Sequence, residues 1–474
     1  MRTISAIRKP SSIVPIYPFI FFGFLLLMAV TLGHLIVFSL KDLLYIACVG
    51  LAVYLCLFKR WAGLWLLFCT LPFYGFLRYV VELTPLQILA KELMVVLLTS
   101  GWFLQEVMMK KKPLVTSSIH LPLRVFLYIL FVQLLRAPSP LQGTFGLRYI
   151  ATYVPIFYLV SNLTLSREQI RKVILALILV TMVTVIYGFF QVSAGLSGLR
   201  ELGLAKVGSN LSVRGVLRVF STYAGPEYFG VNLIFQSAIA FSLLFSNLQR
   251  RWKIFLLLSG IMMSFLLILT LARVLWVMYL LVLSALGLMA KKPRFVVAVT
   301  ALLLAMFLIT PSYVRERATT SFTTEDESYK ARKIVYFQWA FINVLERVPG
   351  TGLGTTAAGV VYAERTGHKM EAKGLLGGGA TESWHTTLAI EMGLLGWVVY
   401  VWLVIQIIRY AYSVFRESKD SFFRWSSLGF TAFTIGLFLA SFVCQAPACF
   451  PAGDAYFWFF SGLMIRMKEL EAKE

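Results

Sequence analysis

His385 stands where a polar interval gives way to an apolar run, in Glu382-Ser383-Trp384-His385-Thr386-Thr387-Leu388. A neutral imidazole there can take a proton from a hydroxyl as a general base. A helix start suits the neutral ring, because the positive end of the helix dipole disfavours imidazolium. The alternative for His385 is a structural or interfacial role. Three arginines, Arg218, Arg273 and Arg332, add a second kind of chemistry. A planar guanidinium captures phosphate oxygens in bidentate fashion. Arg218 reads equally as a ligand group or as an interfacial side chain reaching headgroups. Arg273 interrupts Leu271-Ala272-Arg273-Val274-Leu275-Trp276 between two apolar runs, which favours a functional role.

These residues must be carried by membrane helices. Of 474 residues, 59% are hydrophobic and only 14% are charged, and the mean hydropathy is +0.79. A soluble chain carries far more charge. Apolar runs of about 17–25 residues recur, each long enough to cross a hydrocarbon core. The alternation of a membrane barrel is absent. The expected fold is all-α and polytopic, with about 12–14 transmembrane helices. The net charge of +22 sits in basic clusters such as Lys110-Lys111-Lys112, Arg250-Arg251 and Lys291-Lys292, in alternate loops. That is the positive-inside pattern, and both chain ends then lie in the cytoplasm. A nucleic-acid partner is not expected, because no soluble domain carries a basic stripe with interleaved aromatics.

The walk along the chain divides it into residues 1–310, a first block of transmembrane helices; 311–383, one large outer-face loop, partly helical; and 384–474, the closing helices. Span nine, Ile254–Leu271, meets span ten at Arg273 in a tight hairpin. The arginines therefore fall on the outer face, where few cations belong. Within the large loop, Tyr329–Ile342 carries Arg332 on an expected amphipathic helix. Pro349-Gly350-Thr351-Gly352-Leu353-Gly354 breaks the loop but follows no strand, so it does not read as a nucleotide site. Glu391 lies too far around the helix to share a face with His385 and is expected to pair elsewhere. Gly393 and Gly396 suggest close helix packing. No metal-spaced His/Cys set appears, and no cofactor is expected.

Taken in order, these motifs resemble the bacterial O-antigen ligase and Wzy-type polymerase superfamily. The resemblance rests on Arg218 with Ser221-Thr222-Tyr223 and Gly225-Pro226, on Ala272-Arg273-Val274-Leu275-Trp276, on Pro349–Gly354, and on His385 with Glu391-Met392-Gly393-Leu394-Leu395-Gly396. Thr386 stands where the family often has Asn, and Ala272 where it often has Ser. The resemblance implies a GT-C-like, metal-independent, inverting glycosyltransferase of the bacterial inner membrane, its active site facing the periplasm. The donor would be a glycan on undecaprenyl diphosphate. The acceptor would be a hydroxyl of lipid A-core or of another lipid-linked glycan. His385 would be the catalytic base, Arg218 and Arg273 would hold the donor diphosphate, and Arg332 would assist. A polyprenyl-linked glycan flippase or another transporter would use the same arginines for binding alone.

Overall fold

The computed structural model describes residues 40–76, 89–201, 211–213, 215–319, 349–356, 383–444 and 451–472. Arg332 and the expected helix around it lie outside the described residues. The chain divides into two compact units, Met1–Tyr54 and Leu55–Glu474. The first is represented by most of helix α1 (Leu40–Phe58). Every candidate residue described belongs to the second.

The second unit is almost wholly helical. Its first half holds α2 (Arg60–Thr70), α3 (Ala90–Trp102), α4 (His120–Leu135), α5 (Pro140–Ala151), α6 (Val154–Asn162) and the long α7 (Arg167–Glu201). Its second half holds α8 (Pro226–Leu243), α9 (Arg250–Leu269), α10 (Arg273–Met289), α11 (Pro293–Ile309), α12 (Ser312–Thr319), α13 (Trp384–Glu417), α14 (Ser421–Ala440) and α15 (Pro451–Ala472). Among the described residues, five helices are long and apolar enough to cross a membrane: Ala90–Met109, Arg167–Leu199, Arg250–Leu269, Trp384–Glu417 and Ser421–Ala440. Shorter apolar helices accompany them.

Helix α8 is the hub. Nearly every residue from Phe229 to Leu243 is buried, and the helix packs against α9, α14, α10, α7 and α15. Such all-round burial means that no single face is set aside for solvent or lipid. Its partner α14 runs antiparallel. Phe235 meets Phe433, with ring centroids 4.6 Å apart, and lower down Gly429 faces Ser242 and Ala238. The start of α8 therefore shares an end of the bundle with the close of α14, which carries the start of α13.

One apolar run is split. The apolar run Leu147–Leu163 is long enough to cross as one piece, yet the chain forms α5, pauses, and resumes as α6. Ser139 caps α5 by accepting from the Gln142 N–H at 3.2 Å, and Pro140 occupies the first turn, so the helix begins seven residues earlier. Pro155, in the first turn of α6, lacks the N–H that a continuous helix would use.

Candidate functional site

Arg218 is positioned by a small hairpin. Ser212–Val213 pairs antiparallel with Val216–Leu217, with Gly215 in the turn at φ 78°. The Arg218 N–H continues the ladder to the Leu211 carbonyl at 2.9 Å. Leu199, Leu211, Leu217 and Phe220 form a separate apolar cluster that seats the hairpin. Beyond it Ser221 adopts a left-handed backbone, φ 53°, and is 1% exposed. Gln191 of α7 holds this turn. Its Oε1 accepts from the Ser221 N–H at 2.7 Å, its Nε2 donates to the Ser221 carbonyl at 2.9 Å, and the Ser221 hydroxyl donates to the Thr184 carbonyl at 2.5 Å.

The two arginine elements, about fifty residues apart in sequence, come together at this turn. Arg218 Nε donates to the Thr270 carbonyl at 3.1 Å, and the Val219 N–H donates to the Leu269 carbonyl at 3.2 Å. A second Arg218 nitrogen donates to Glu227 Oε1, in the first turn of α8, at 2.5 Å. Thr270 closes α9, and Arg273 opens α10 three residues later. The hairpin is as tight as the sequence suggests. Leu271 takes a left-handed conformation, φ 55°, to make it. Trp276 locks the hairpin by donating its indole N–H to the Leu267 carbonyl at 3.2 Å.

His385 lies in the first turn of α13 at the same end of the bundle. Ser383 caps the helix, accepting from the Thr386 N–H at 3.2 Å. The Trp384 N–H donates to the Ser441 and Cys444 carbonyls, fastening α13 to the end of α14. The ring does not face water, as a loop–helix junction suggested. It is 4% exposed, stacked on Phe442 with centroids 3.8 Å apart, and meets Phe438 edge-on at 4.9 Å. The cause is the hydrophobic gain of enclosing an aromatic ring, realised by rings more than fifty residues away along the chain. Both ring nitrogens are engaged. Trp397 Nε1 donates to Nδ1 at 3.0 Å, and Nε2 lies 3.2 Å from the Phe438 carbonyl. A carbonyl only accepts, so Nε2 carries the proton and Nδ1 keeps the lone pair. Nδ1 is thus the basic atom of this tautomer, with the Trp397 N–H where a hydroxyl proton would have to sit.

Glu391 and the glycine-rich segment form one assembly. Helix α13 breaks at Gly393, φ 73° and ψ 178°, a conformation essentially restricted to glycine. The break strands carbonyls of the preceding turn, and Pro349–Thr356 supplies their donors. The Thr351 N–H reaches the Ile390 carbonyl at 2.9 Å and the Gly352 N–H reaches the Glu391 carbonyl at 3.2 Å. The buried Glu391 carboxyl accepts from the Thr356 N–H at 3.0 Å and its hydroxyl at 2.5 Å. On the other side, Gln133 Nε2 donates to the Pro349 carbonyl at 2.7 Å, and Gln142 Nε2 to the Gly354 carbonyl at 2.7 Å. Arg136 also donates to the Pro349 carbonyl, and to that of Gly350 at 3.2 Å. A Cβ on Gly350 would lie 2.6 Å from the Gly393 nitrogen, which explains glycine at a close backbone crossing. The segment is therefore a strap across a broken helix.

Two further groups near His385 escape a reading of the sequence. Trp397 is one. The other is Asp454, which lines a cavity of about 20 Å³ with Trp384, Tyr400, Phe126, Ile150 and Trp458. That volume holds one water. The Trp384 indole N–H, in the cavity wall, completes no hydrogen bond among the described residues. The only available signal for Asp454 was a lone carboxylate between a Pro/Gly turn and an apolar run; for Trp397 there was none.

The structure thus brings Arg218, Arg273 and His385 to one end of the bundle. A scan of protein-family models and a search of curated proteins match nothing to this chain.

Proposed function

We propose that this chain is a membrane glycosyltransferase of the O-antigen ligase or polymerase type. It moves a glycan from undecaprenyl diphosphate to a sugar hydroxyl, on lipid A-core or another lipid-linked glycan, in surface polysaccharide synthesis. On this reading it is a GT-C-like enzyme with about 12–14 spans, working at the periplasmic face of the bacterial inner membrane. The observation that carries the reading is the hydrogen-bonded junction of the Arg218 and Arg273 elements, at the end of the bundle where the His385 helix begins.

The chemistry follows from the residues. Trp397 gives way, and the acceptor hydroxyl takes its place at His385 Nδ1. The hydroxyl oxygen attacks the anomeric carbon as its proton passes to Nδ1. The bond from that carbon to the diphosphate oxygen breaks, and the configuration inverts. The leaving diphosphate gains charge, which the guanidinium groups of Arg218 and Arg273 stabilise from fixed positions. The Phe438 carbonyl keeps the proton on Nε2 and so keeps Nδ1 basic. Arg332 is assigned a supporting role toward the diphosphate.

The role of His385 is tested in a strain lacking the chromosomal copy. His385→Ala should insert normally yet restore no surface glycan, a loss on the scale of the ~10²–10⁴-fold typical of general bases. Full restoration by His385→Ala would remove the histidine from the mechanism. Trp397→Phe, which frees Nδ1, should keep transfer within about threefold of the parent, since the indole only occupies the acceptor's place.

One observation favours a second reading, a lipid-linked glycan flippase. Helix α13 is interrupted at Gly393, and discontinuous helices build transporter binding sites. The strap weighs against it, because it closes the break with backbone donors instead of leaving them to a substrate.

A further inference from the structure

The opposite end of helices α9–α11 carries a different kind of site. Helix α9 rises about 30 Å from Arg250 to the Thr270 turn, and α10 returns over about 25 Å. Arg250, Arg251 and Lys253 therefore share the far end with Lys291, Lys292 and Arg294, and α11 packs against both helices. All six are exposed or half-exposed, and none has an acidic partner among the described residues.

Several other cations of the chain do have acidic partners. Lys110 and Lys112 both reach Glu106, Arg171 pairs with Asp420 at 2.7 Å, and Lys468 pairs with Glu417 at 2.9 Å. The six cations also sit in or just before the first turns of α9 and α11, which hold no acidic residue. At Arg250, Arg251, Lys253 and Arg294 the helix dipoles add positive potential to positive side chains, an arrangement that costs energy unless an anion answers it. Directly along the helices, Ile254, Leu258, Val297 and Leu304 are exposed apolar side chains. Packed cations continuing into bare apolar rows match a molecule with an anionic head and a hydrocarbon body.

We propose that this end of α9, α10 and α11 is a docking surface for anionic phospholipid headgroups, with the acyl chains lying along α9 and α11. The claim is independent of the glycosyltransferase reading, since it concerns the end remote from His385. Lipid here would hold the far ends of α9 and α10, and with them the turn that carries Arg273 and accepts from Arg218 at the Thr270 carbonyl.

The test is binding of phosphatidylglycerol to the purified full chain in neutral detergent, counted by native mass spectrometry and titrated by thermal shift. The parent should bind phosphatidylglycerol but not phosphatidylcholine, and more weakly as salt rises. Changing the six residues to glutamine together should weaken binding at least about 100-fold, given the attraction of each basic side chain to an anionic leaflet. Changing Arg250, Arg251 and Lys253 alone, or Lys291, Lys292 and Arg294 alone, should give about tenfold each. These triple variants keep the question answerable if the sixfold variant does not fold. Lys110→Gln with Lys112→Gln, which removes acid-paired cations, should leave binding unchanged. Inorganic phosphate at equal concentration should not displace the lipid, because it lacks the acyl body. Unchanged binding in both triple variants, equal loss in the Lys110/Lys112 variant, or displacement by phosphate would each overturn the proposal.

Discussion

Leu271 and Lys291 flank α10 with the same left-handed backbone, φ 55° and 54°, in opposite surroundings. Lys291 is exposed and follows the helix end, where the Lys292 N–H returns to the Gly287 carbonyl at 2.9 Å. A left-handed residue there is an ordinary way to stop a helix. Leu271 is 3% exposed and folds the chain back within three residues to place Arg273. The contrast repeats in the other arginine element: Ser221, φ 53°, is enclosed and held by Gln191, while Lys111, φ 49°, is exposed. Left-handed geometry costs roughly 1–2 kcal/mol in a residue with a Cβ. At the remote end solvent-exposed caps bear that cost. At the arginine end, a network of buried hydrogen bonds does. Strain enclosed in this way gathers where a structure must hold a group in one place.

The comparison can be broken at either end. The largest effect is expected from Arg218→Lys. It keeps the charge but loses the fork that reaches the Thr270 carbonyl and Glu227 together. Transfer should fall about 10²-fold with little change in stability, measured as product formed per protein. A rate equal to the parent's would mean that the junction is only structural. A smaller effect is expected from Gln191→Leu, which leaves the Ser221 N–H and carbonyl buried without partners. Unfolding in mixed micelles should show a loss of about 2–4 kcal/mol. A loss under about 0.5 kcal/mol, the range of ordinary surface changes, would deny that the turn is held by this residue. The smallest effect is expected from Lys111→Gly, which should stabilise the chain by about 1 kcal/mol and leave transfer untouched. Destabilisation there would show that the remote end is as constrained as the arginine end.

Much of this arrangement was legible in the residues. The apolar runs marked the helices, and the tight hairpin at Arg273 followed from two such runs abutting. The change from polar to apolar residues at His385 marked the start of α13. Glu391 did pair away from His385, as its angular offset required. What could not be read was contact between distant segments. Nothing in the spacing of Phe438 and Phe442 says that they enclose an imidazole from α14 and the turn beyond it. Gly393 suggested close helix packing but not that it breaks α13, and the strap that repairs the break lies about forty residues upstream. Periodicity reports which face of one helix is apolar; it is silent on which carbonyl a remote loop will satisfy. The apolar run Leu147–Leu163 is split because capping at Ser139 and the missing N–H of Pro155 outweigh a continuous apolar pattern.

The central claim is that a glycosidic bond forms at the end of the bundle shared by Arg218, Arg273 and His385. The most direct measurement uses purified protein in detergent, with a defined undecaprenyl diphosphate-linked glycan, a hydroxyl acceptor and no transmembrane gradient. The account predicts that the acceptor gains the glycan with inverted anomeric configuration while free undecaprenyl diphosphate accumulates, and that Arg273→Ala abolishes both. Donor and acceptor recovered unchanged, from protein that still binds the lipid-linked donor, would contradict it and favour the flippase.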